Sequence, residues 1–296
     1  MVAALKAGYR HIDCAAAYGN EAEVGAAIAE SLAAGVCTRA DLFITSKLWV
    51  TSCSEPALIR EALEKTLANL KLDYLNLYLV HWPFFIKPGA SFPPPVSDVL
   101  GYSAESYLAT WRELEAAVDA GKLRHIGCSN MTVAKLTALC APGCARIQPA
   151  VNQVESHPFL PQAPLLAFCA ARGILLQAFS PLGSPARPAR LITEGDPAPL
   201  AEPAVIAAAA KHSVSPAQVL IRWQVQRGVV VLPKSTTPER IAANLDVFRF
   251  TLDEADLAAL AKLAEGEGCK RTNKGSTFVQ NLPNGWRDAW DGEYIN

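Results

Sequence analysis

The sequence predicts an α/β fold of the (β/α)8 TIM-type barrel class, with seven of the eight barrel strands present in one domain, residues 1–296. Short β-branched runs alternate with Ala/Leu-rich stretches of helical periodicity, which is typical of a parallel sheet covered by helices. No G-x-G-x-x-G follows any strand, so the usual signature of an open dinucleotide-binding sheet is absent. Pro-rich insertions at 84–98 and 181–203 follow strand ends, where barrels build active sites.

The strands are predicted from β-branched and aromatic content. In chain order they are YRHIDC (9–14), LFITSK (42–47), YLNLYLVH (74–81), HIGCSN (125–130), AVNQVE (150–155), ILLQAFS (174–180) and VVVLPKS (229–235). The opening MVAALKAG is expected to be the end of a helix. Residues 20–35 and 54–71 have amphipathic helical patterns, and Ser54 is the expected N-cap of the second.

Composition and charge restrict the partners. A hydrophobic fraction of 51% and a charged fraction of 19% are typical of a globular protein with a large core. The formal net charge of −1 offers no electrostatic basis for binding nucleic acid or an anionic membrane. No apolar run reaches the roughly 18 residues of a membrane span, and the opening lacks signal-peptide features. We expect a cytoplasmic monomer with no nucleic-acid or membrane partner.

The cysteines indicate neither a disulfide framework nor a metal site. Eight cysteines are spread over the chain, and those at 14, 128 and 169 lie in apolar segments as small core residues. Cys140 and Cys144, in CAPGC, are a close pair, but two further ligands at zinc-site spacing are missing. We therefore predict no metal.

Polar or ionisable side chains end all seven predicted strands. Each has a structural alternative: Asp13 as a helix cap, Lys47 as a solvated strand end, His81 as a core histidine. Seven such ends together favour a catalytic site, because barrel enzymes use the carboxyl ends of strands and perturbed ionisable groups cluster there. The set is Asp13, Lys47, His81, Ser129–Asn130, Gln153, Ser180 and Lys234–Ser235.

Tyr18 lies five residues after Asp13 and completes a proton-transfer group. The pKa of a phenol is about 10 in water, and a neighbouring lysine cation favours the phenolate and lowers that pKa. Asp13 is expected to pair with Lys47 and keep it charged, while His81 donates a hydrogen bond to a carbonyl oxygen. The group suits carbonyl polarisation during hydride transfer from a cofactor.

A collinear series of motifs resembles the aldo-keto reductase superfamily from residue 1 to about residue 272: GYRHIDCAAAYGNEAEVG, ITSKLW, LVHWP, IGCSN, NQVE, FSPLG and LPKSTTPERIAANLDVF. In that family an Asp-Tyr-Lys-His tetrad reduces aldehydes and ketones with NADPH. The resemblance implies these roles for Asp13, Tyr18, Lys47 and His81, with Tyr18 as the general acid. It also implies a small carbonyl compound as substrate.

The same resemblance implies an NADP(H) site. Ser129, Asn130 and Gln153 correspond to residues that hold the nicotinamide amide, and Phe179 to the stacking aromatic, where many members have Tyr. The pyrophosphate is expected on Ser180 and Leu182, and the adenine on Asn244, with Ala243 where the family often has Glu. The expected 2′-phosphate site combines a guanidinium with an ammonium, although a solvated basic helix start is the alternative. Its residues are Lys234, Ser235, Thr236 and Arg240.

An apolar wall is predicted beside the carbonyl group. Trp49 follows Lys47 closely, and Trp82, Phe84 and Phe85 follow His81. Such aromatic residues suit a mostly apolar pocket, although each has core or loop packing as its alternative. Residues 273–296 form a tail that in this family often folds over the pocket, and here its sequence matches poorly.

The resemblance implies that an N-terminal hairpin and the first barrel strand, with its Gly-x-Gly-Thr stretch, are missing. Closure needs eight strands, so we expect exposed edges at YRHIDC and VVVLPKS and a chain that is unstable or weakly active alone. An organellar transit peptide ahead of this sequence would change the expected location.

Two alternatives remain at this level. A non-catalytic NADPH-binding regulatory subunit, or an inactive truncated form, fits the missing strand but not the complete tetrad. A barrel isomerase or aldolase with Lys47 as Schiff base needs a neutral amine, whereas Asp13 keeps Lys47 charged.

Overall fold

The computed structural model describes residues 1–188, 192–282 and 285–293. The chain divides into two compact units. The first contains residues 1–152 and 275–291, and the second contains residues 153–274 with the last described residues. The boundary between the units, after residue 152, falls within the strand Val151–Glu155. The strand pairs before it lie in the first unit, and those after it lie in the second.

All seven predicted strands are present, and they confirm the α/β class with seven parallel barrel strands among the described residues. They are β1 (His11–Asp13), β2 (Phe43–Leu48), β3 (Leu75–Val80), β6 (Leu123–Ser129), β7 (Val151–Glu155), β8 (Leu175–Phe179) and β9 (Val230–Val231). In the first unit β2 pairs with β1 and β3, and β3 pairs with β6. In the second unit β8 pairs with β9.

Strand β9 is much shorter than the predicted 229–235. The amide of Leu232 still donates to the carbonyl of Ala178 at 3.1 Å. Pro233 follows, and because proline has no N–H to donate, the ladder ends there.

The Pro-rich insertion at 84–98 is more ordered than the loop that its composition predicts: it carries one strand of an antiparallel hairpin and leads into the other. The two strands are β4 (Phe85–Ile86) and β5 (Val99–Gly101). The amide of Lys87 donates to the carbonyl of Asp98 at 2.9 Å, which extends the pairing beyond β4. The hairpin lies immediately after the end of β3 that carries His81.

Helices occupy the predicted intervals between the strands. In chain order they are α1 (Val2–Ala7), α2 (Glu21–Ala33), α3 (Pro56–Leu70), α4 (Ala104–Asp119), α5 (Val133–Leu139), α6 (Ala163–Ala170), α7 (Pro203–His212), α8 (Pro216–Gln226), α9 (Pro238–Leu245), α10 (Glu254–Ala261) and α11 (Trp286–Ala289). The prediction of Ser54 as the N-cap of α3 is wrong; that position is Glu55, without a side-chain cap. Pro56 fixes the start, since proline is favoured in the first helical position.

Helices α2 and α3 approach each other closely at Gly25. A Cβ atom at this position would lie 2.2 Å from the carbonyl oxygen of Asn69 and 2.8 Å from Leu70 Cα. Both neighbours are backbone atoms, which cannot rotate away. Gly25 therefore permits the two helices to pack backbone against backbone.

Each unit has an apolar core of its own. In the first, β2 and β3 are buried on both faces, which is typical of parallel strands covered by helices. In the second, Val205, Leu220, Trp223 and Leu260 are among the residues that pack α7, α8 and α10 together. Among the described residues no single helix is long and apolar enough to cross a membrane. Helices α7 and α8 reach that length and apolar composition only together, and the pair is bent by 91°.

Candidate active site

Lys47 and Asp13 form the centre of the candidate site. The register of β1 and β2 places Asp13 opposite Thr45, so Lys47 lies two residues further along and on the same face. Lys47 Nζ contacts Asp13 Oδ2 at 2.5 Å, the carbonyl oxygen of Cys14 at 2.8 Å and Tyr18 Oη at 3.3 Å. These three acceptors match the three N–H donors of an ammonium group.

The Lys47 side chain has no exposed surface, yet it stays charged. Burial lowers the pKa of Lys47, but the attraction of Asp13, the contact with Tyr18 and the hydrogen bonds to both outweigh burial and raise the pKa above its ordinary value. The raised pKa favours the charged ammonium beside Tyr18. The contribution of the Cys14 carbonyl was not visible in the sequence, since it depends on where the backbone turns after β1.

Tyr18 ends a short 3-10 turn, Ala16–Tyr18, which Gly19 closes in the left-handed conformation at φ 67°. The residue is 52% exposed. Its pKa is raised, because desolvation outweighs the opposing effect of Lys47. The expected effect of Lys47 is present, but the expected net lowering is wrong. The phenol therefore keeps its proton at neutral pH.

His81 follows β3, and its ring packs edge-on against Tyr18 and Trp49, with ring centroids 6.0 and 5.2 Å away. Burial and the nearby Lys47 cation hold the pKa of His81 well below its ordinary value, so the imidazole is neutral. Its Nδ1 atom is buried and has no hydrogen-bond partner in the described part of the chain. A neutral imidazole offers one N–H donor to a ligand.

Ser129 and Asn130 follow one another at the end of β6, and both are buried. Asn130 has φ 61° and donates from Nδ2 to the His81 carbonyl at 3.0 Å and to Ser129 Oγ at 3.1 Å. Its Oδ1 atom is buried without a partner among the described residues. Asn152, to which no role was assigned from the NQVE motif, secures the turn by donating to the Met131 carbonyl at 2.9 Å.

The remaining nicotinamide and pyrophosphate candidates lie in the second unit. Gln153 is buried on β7 and donates from Nε2 to Gln177 Oε1 at 2.9 Å, a partner that was not predicted from the sequence. Phe179 ends β8, and Ser180 follows with φ 50°. Leu182 packs against the core of this unit.

The predicted 2′-phosphate residues lie just before and within α9. Lys234, Thr236 and Arg240 are exposed, and neither cation forms an ion pair with any residue that the structure describes. Ser235 Oγ accepts a hydrogen bond from the Thr237 amide at 3.1 Å, which shapes the turn into the helix. Asn244 is buried on the same helix.

The predicted apolar wall divides into two groups. Trp49 packs edge-on against His81, and Trp82 and Phe84 are buried in an aromatic cluster of the first unit. Phe85 lies apart, stacked on Tyr107 at 6.1 Å. Three further aromatic residues contact Trp49 or Trp82: Phe92, Phe278 and Trp290. The last two lie in the tail that was expected to fold over the pocket.

Glu155, two residues after Gln153 on β7, is a buried carboxylate that was not predicted as a functional residue. Its oxygens accept from the amides of Thr272 and Asn273 at 3.0 and 2.8 Å, from the Thr272 hydroxyl, and from His157 Nε2 at 3.0 Å. Burial raises the pKa of Glu155, but the His157 hydrogen bond and charge, Arg271 and Thr272 together lower it to about 2. The carboxylate therefore anchors residues 272–273 within the second unit.

Comparisons with known proteins identify the family of the chain. The Aldo/keto reductase family model matches residues 1–265. An aldo/keto reductase of Synechocystis sp. is 48% identical over 260 residues, which cover 88% of this chain and 79% of that protein. Aldo-keto reductase family 1 member A1 of Rattus norvegicus is 47% identical over 262 residues, with the same shares of both chains.

A similar structure has also been solved. The crystal structure of a Bombyx mori aldo-keto reductase in complex with NADP superposes with a TM-score of 0.79 at 37% sequence identity. The match covers 92% of this chain and 82% of that one.

Proposed function

The chain belongs to the aldo/keto reductase family, and from that premise we propose that it reduces an aldehyde or ketone to an alcohol with NADPH. The observation that carries the proposal is the contact of the Lys47 ammonium with both Asp13 and Tyr18, beside a neutral His81. These four residues are the tetrad predicted from the sequence. The relatives named above support an oxidoreductase, and the NADP in the Bombyx mori structure supports the cofactor.

The residues of this chain fit NADP(H). The buried Oδ1 of Asn130 has no partner within the described ranges, and the amide of a nicotinamide supplies the donor that this acceptor needs. Lys234 and Arg240 are exposed cations without ion-pair partners among the described residues, which suits a phosphate dianion. When bound, NADPH supplies the hydride. Ser129, Gln153, Phe179, Ser180, Leu182, Ser235, Thr236 and Asn244 complete the proposed cofactor site.

Tyr18 is the proposed general acid. Its raised pKa keeps the phenol protonated at neutral pH, so it has a proton to give to the oxygen of the reduced carbonyl group. The phenolate that remains lies beside the Lys47 ammonium, whose charge Asp13 maintains. Lys47 thus acts after the proton leaves, by stabilising the anion.

His81 is the proposed hydrogen-bond donor to the substrate carbonyl. A neutral ring donates without adding a second cation beside Lys47, and burial disfavours the charged form. Trp49 packs against this ring and, with Trp82 and Phe84, forms the proposed substrate wall. Phe85, the fourth predicted member, stacks on Tyr107 instead. Among these, Trp49 has the most direct support, since its ring contacts that of His81.

The central experiment measures NADPH oxidation at saturating cofactor with a panel of aldehydes and ketones, in wild type, Tyr18→Phe and a Tyr9→Phe control. Tyr18→Phe is expected to lower kcat by at least about a hundredfold, the usual effect of losing a general acid, and to leave NADPH affinity within about twofold. Tyr9→Phe should match wild type. Full turnover by Tyr18→Phe would refute the assignment of the acid.

The same titration tests the alternative of a regulatory subunit. Tight NADPH binding without oxidation by any carbonyl compound would favour that alternative. We also propose that the protein is a cytoplasmic monomer; light scattering during size-exclusion chromatography and imaging of the tagged protein in cells test both statements.

A further inference from the structure

Lys135 is a second buried lysine, and the tetrad does not use it. It lies on α5 with 4% of its side chain exposed. Its Nζ contacts Asp291 Oδ2 at 2.5 Å and the Ala289 carbonyl at 2.9 Å. The hydroxyl of Thr132, the N-cap of α5, donates to the same Asp291 oxygen at 2.5 Å. We call these four residues, Thr132, Lys135, Ala289 and Asp291, the C-terminal latch.

The C-terminal latch joins parts of the first unit that are more than 150 residues apart in the chain. The Lys135 ammonium also lies 5.7 and 5.1 Å from the ring centroids of Phe84 and Tyr102. A buried ammonium is costly unless it is paired, so Lys135 depends on Asp291, whose side chain is 33% exposed. The pair therefore holds residues 289–291 in one place.

The residue held between Ala289 and Asp291 is Trp290. Its side chain is 2% exposed and packs edge-on against Trp82, with ring centroids 6.1 Å apart. Trp82 in turn packs against Phe278 at 4.8 Å. Phe278 then contacts Trp49 at 5.9 Å, and Trp49 contacts His81 at 5.2 Å.

The packing around Trp82 leaves little room for adjustment. A Cβ atom on Gly275 would lie 2.8 Å from the Trp82 ring, so the backbone at that point touches the indole. A shift of Trp290 is consequently passed to Trp82 and Phe278 and not absorbed by free space. The aromatic wall that ends at His81 is thus fixed at its far end by the C-terminal latch.

We propose that Lys135 and Asp291 are positioning residues for substrate selection, and that the wall they fix selects carbonyl compounds with an aromatic substituent. The inference rests on the proposed function. The rings of Trp49, Phe92 and Phe278 contact one another edge-on or tilted, an arrangement that offers further edge and face contacts to a flat ring. A short aliphatic substituent makes fewer such contacts, so the binding of an aliphatic substrate depends less on the position of the aromatic wall.

The experiment compares wild type, Asp291→Asn, Lys135→Met and the double variant, with Lys211→Met as the control. Lys211 pairs with the exposed Asp253 and with Asp256 in the second unit, so its loss should leave the first unit unchanged. Values of kcat and KM are measured at saturating NADPH with 4-nitrobenzaldehyde and with propanal. The amide of Asp291→Asn still accepts from Thr132, so this variant removes the charge with the least disturbance to folding.

For Asp291→Asn we expect KM for 4-nitrobenzaldehyde to rise about tenfold, as loss of one charge-assisted hydrogen bond allows. The kcat values and KM for propanal should stay within about twofold of wild type. In the double variant, KM for 4-nitrobenzaldehyde should rise less than the effects of the two single variants combined predict. The reason is that the double variant leaves no unpaired buried charge. Equal effects on both aldehydes, or no effect on KM, would overturn the proposal.

Hydrogen–deuterium exchange gives a readout that does not depend on turnover. Peptides covering residues 285–291 should exchange faster in Asp291→Asn than in wild type or Lys211→Met. Unchanged exchange there would overturn the C-terminal latch itself. If wild type reduced neither aldehyde, the proposed function would be refuted, and the proposal on substrate selection with it. Faster exchange in Asp291→Asn would still establish that the C-terminal latch holds residues 285–291 in place.

Discussion

Substitution of Glu155 by glutamine gives the sharpest test of the energetics of the second unit. The change removes the charge and keeps the size of a side chain with no exposed surface. The pKa of Glu155 falls from an ordinary 4.5 to about 2 in the folded chain. Each tenfold change in proton affinity corresponds to about 1.4 kcal/mol, so the ionised carboxylate stabilises the fold by about 3 kcal/mol at neutral pH.

The pH dependence has a definite sign. The folded pKa is depressed, so the stabilisation is fully present above about pH 4.5 and is lost as pH falls toward about 2. Glu155→Gln should therefore lower the free energy of unfolding by about 3 kcal/mol at pH 7, and the gap to wild type should narrow below pH 4.5. Denaturant unfolding followed by tryptophan fluorescence at several pH values measures both quantities.

Glu64→Gln is the matched control, because Glu64 is 55% exposed and pairs with an exposed Lys122. That change should cost less than about 0.5 kcal/mol at any pH. A Glu155→Gln protein as stable as wild type at pH 7 would refute the reasoning. So would a gap of constant size from pH 7 to pH 3.

Three other predictions follow from the fold and the site. Gly25→Ala should lower the free energy of unfolding by about 1–3 kcal/mol despite the better helix propensity of alanine, because its Cβ meets the Asn69 carbonyl; a more stable variant in chemical unfolding would contradict that packing. Arg240→Ala should weaken NADPH binding at least about tenfold and leave NADH binding nearly unchanged, as fluorescence titration can show; equal losses for both cofactors would argue against a 2′-phosphate contact. The pH profile of kcat for carbonyl reduction should fall with rising pH only above the ordinary phenol pKa of 10.0, since that of Tyr18 is raised; a fall centred near pH 7 would assign the proton to another group.

The parts of the fold that could be predicted depend on local patterns. The seven strands carry β-branched runs with polar ends, and the register of β1 and β2 then brings Asp13 to Lys47 without further information. The predicted N-cap of α3 is one residue too early, because the preference of proline for the first helical position outweighs the capping preference of Ser54. Both outcomes follow from residues that are neighbours in the chain or in one sheet.

What the sequence could not reveal depends on distant residues and on the balance of opposing effects. The partner of Lys135 lies 156 residues away in a tail without recognisable periodicity. The same holds for Glu155, whose partners at 272 and 273 are more than 110 residues away. The net direction of the Tyr18 pKa required the amount of desolvation, which depends on the packed surroundings and not on the identity of the neighbours.

The position of the C-terminal latch has a consequence for protein engineering. Thr132 and Lys135 follow Ser129 and Asn130 at once, so one short stretch of chain serves both the proposed cofactor site and the tail. A chimera that received a tail without a carboxylate at the position of Asp291 would leave Lys135 buried without its charged partner. Exchange of substrate preference between family members should therefore succeed when residues 132–135 are transplanted together with the tail.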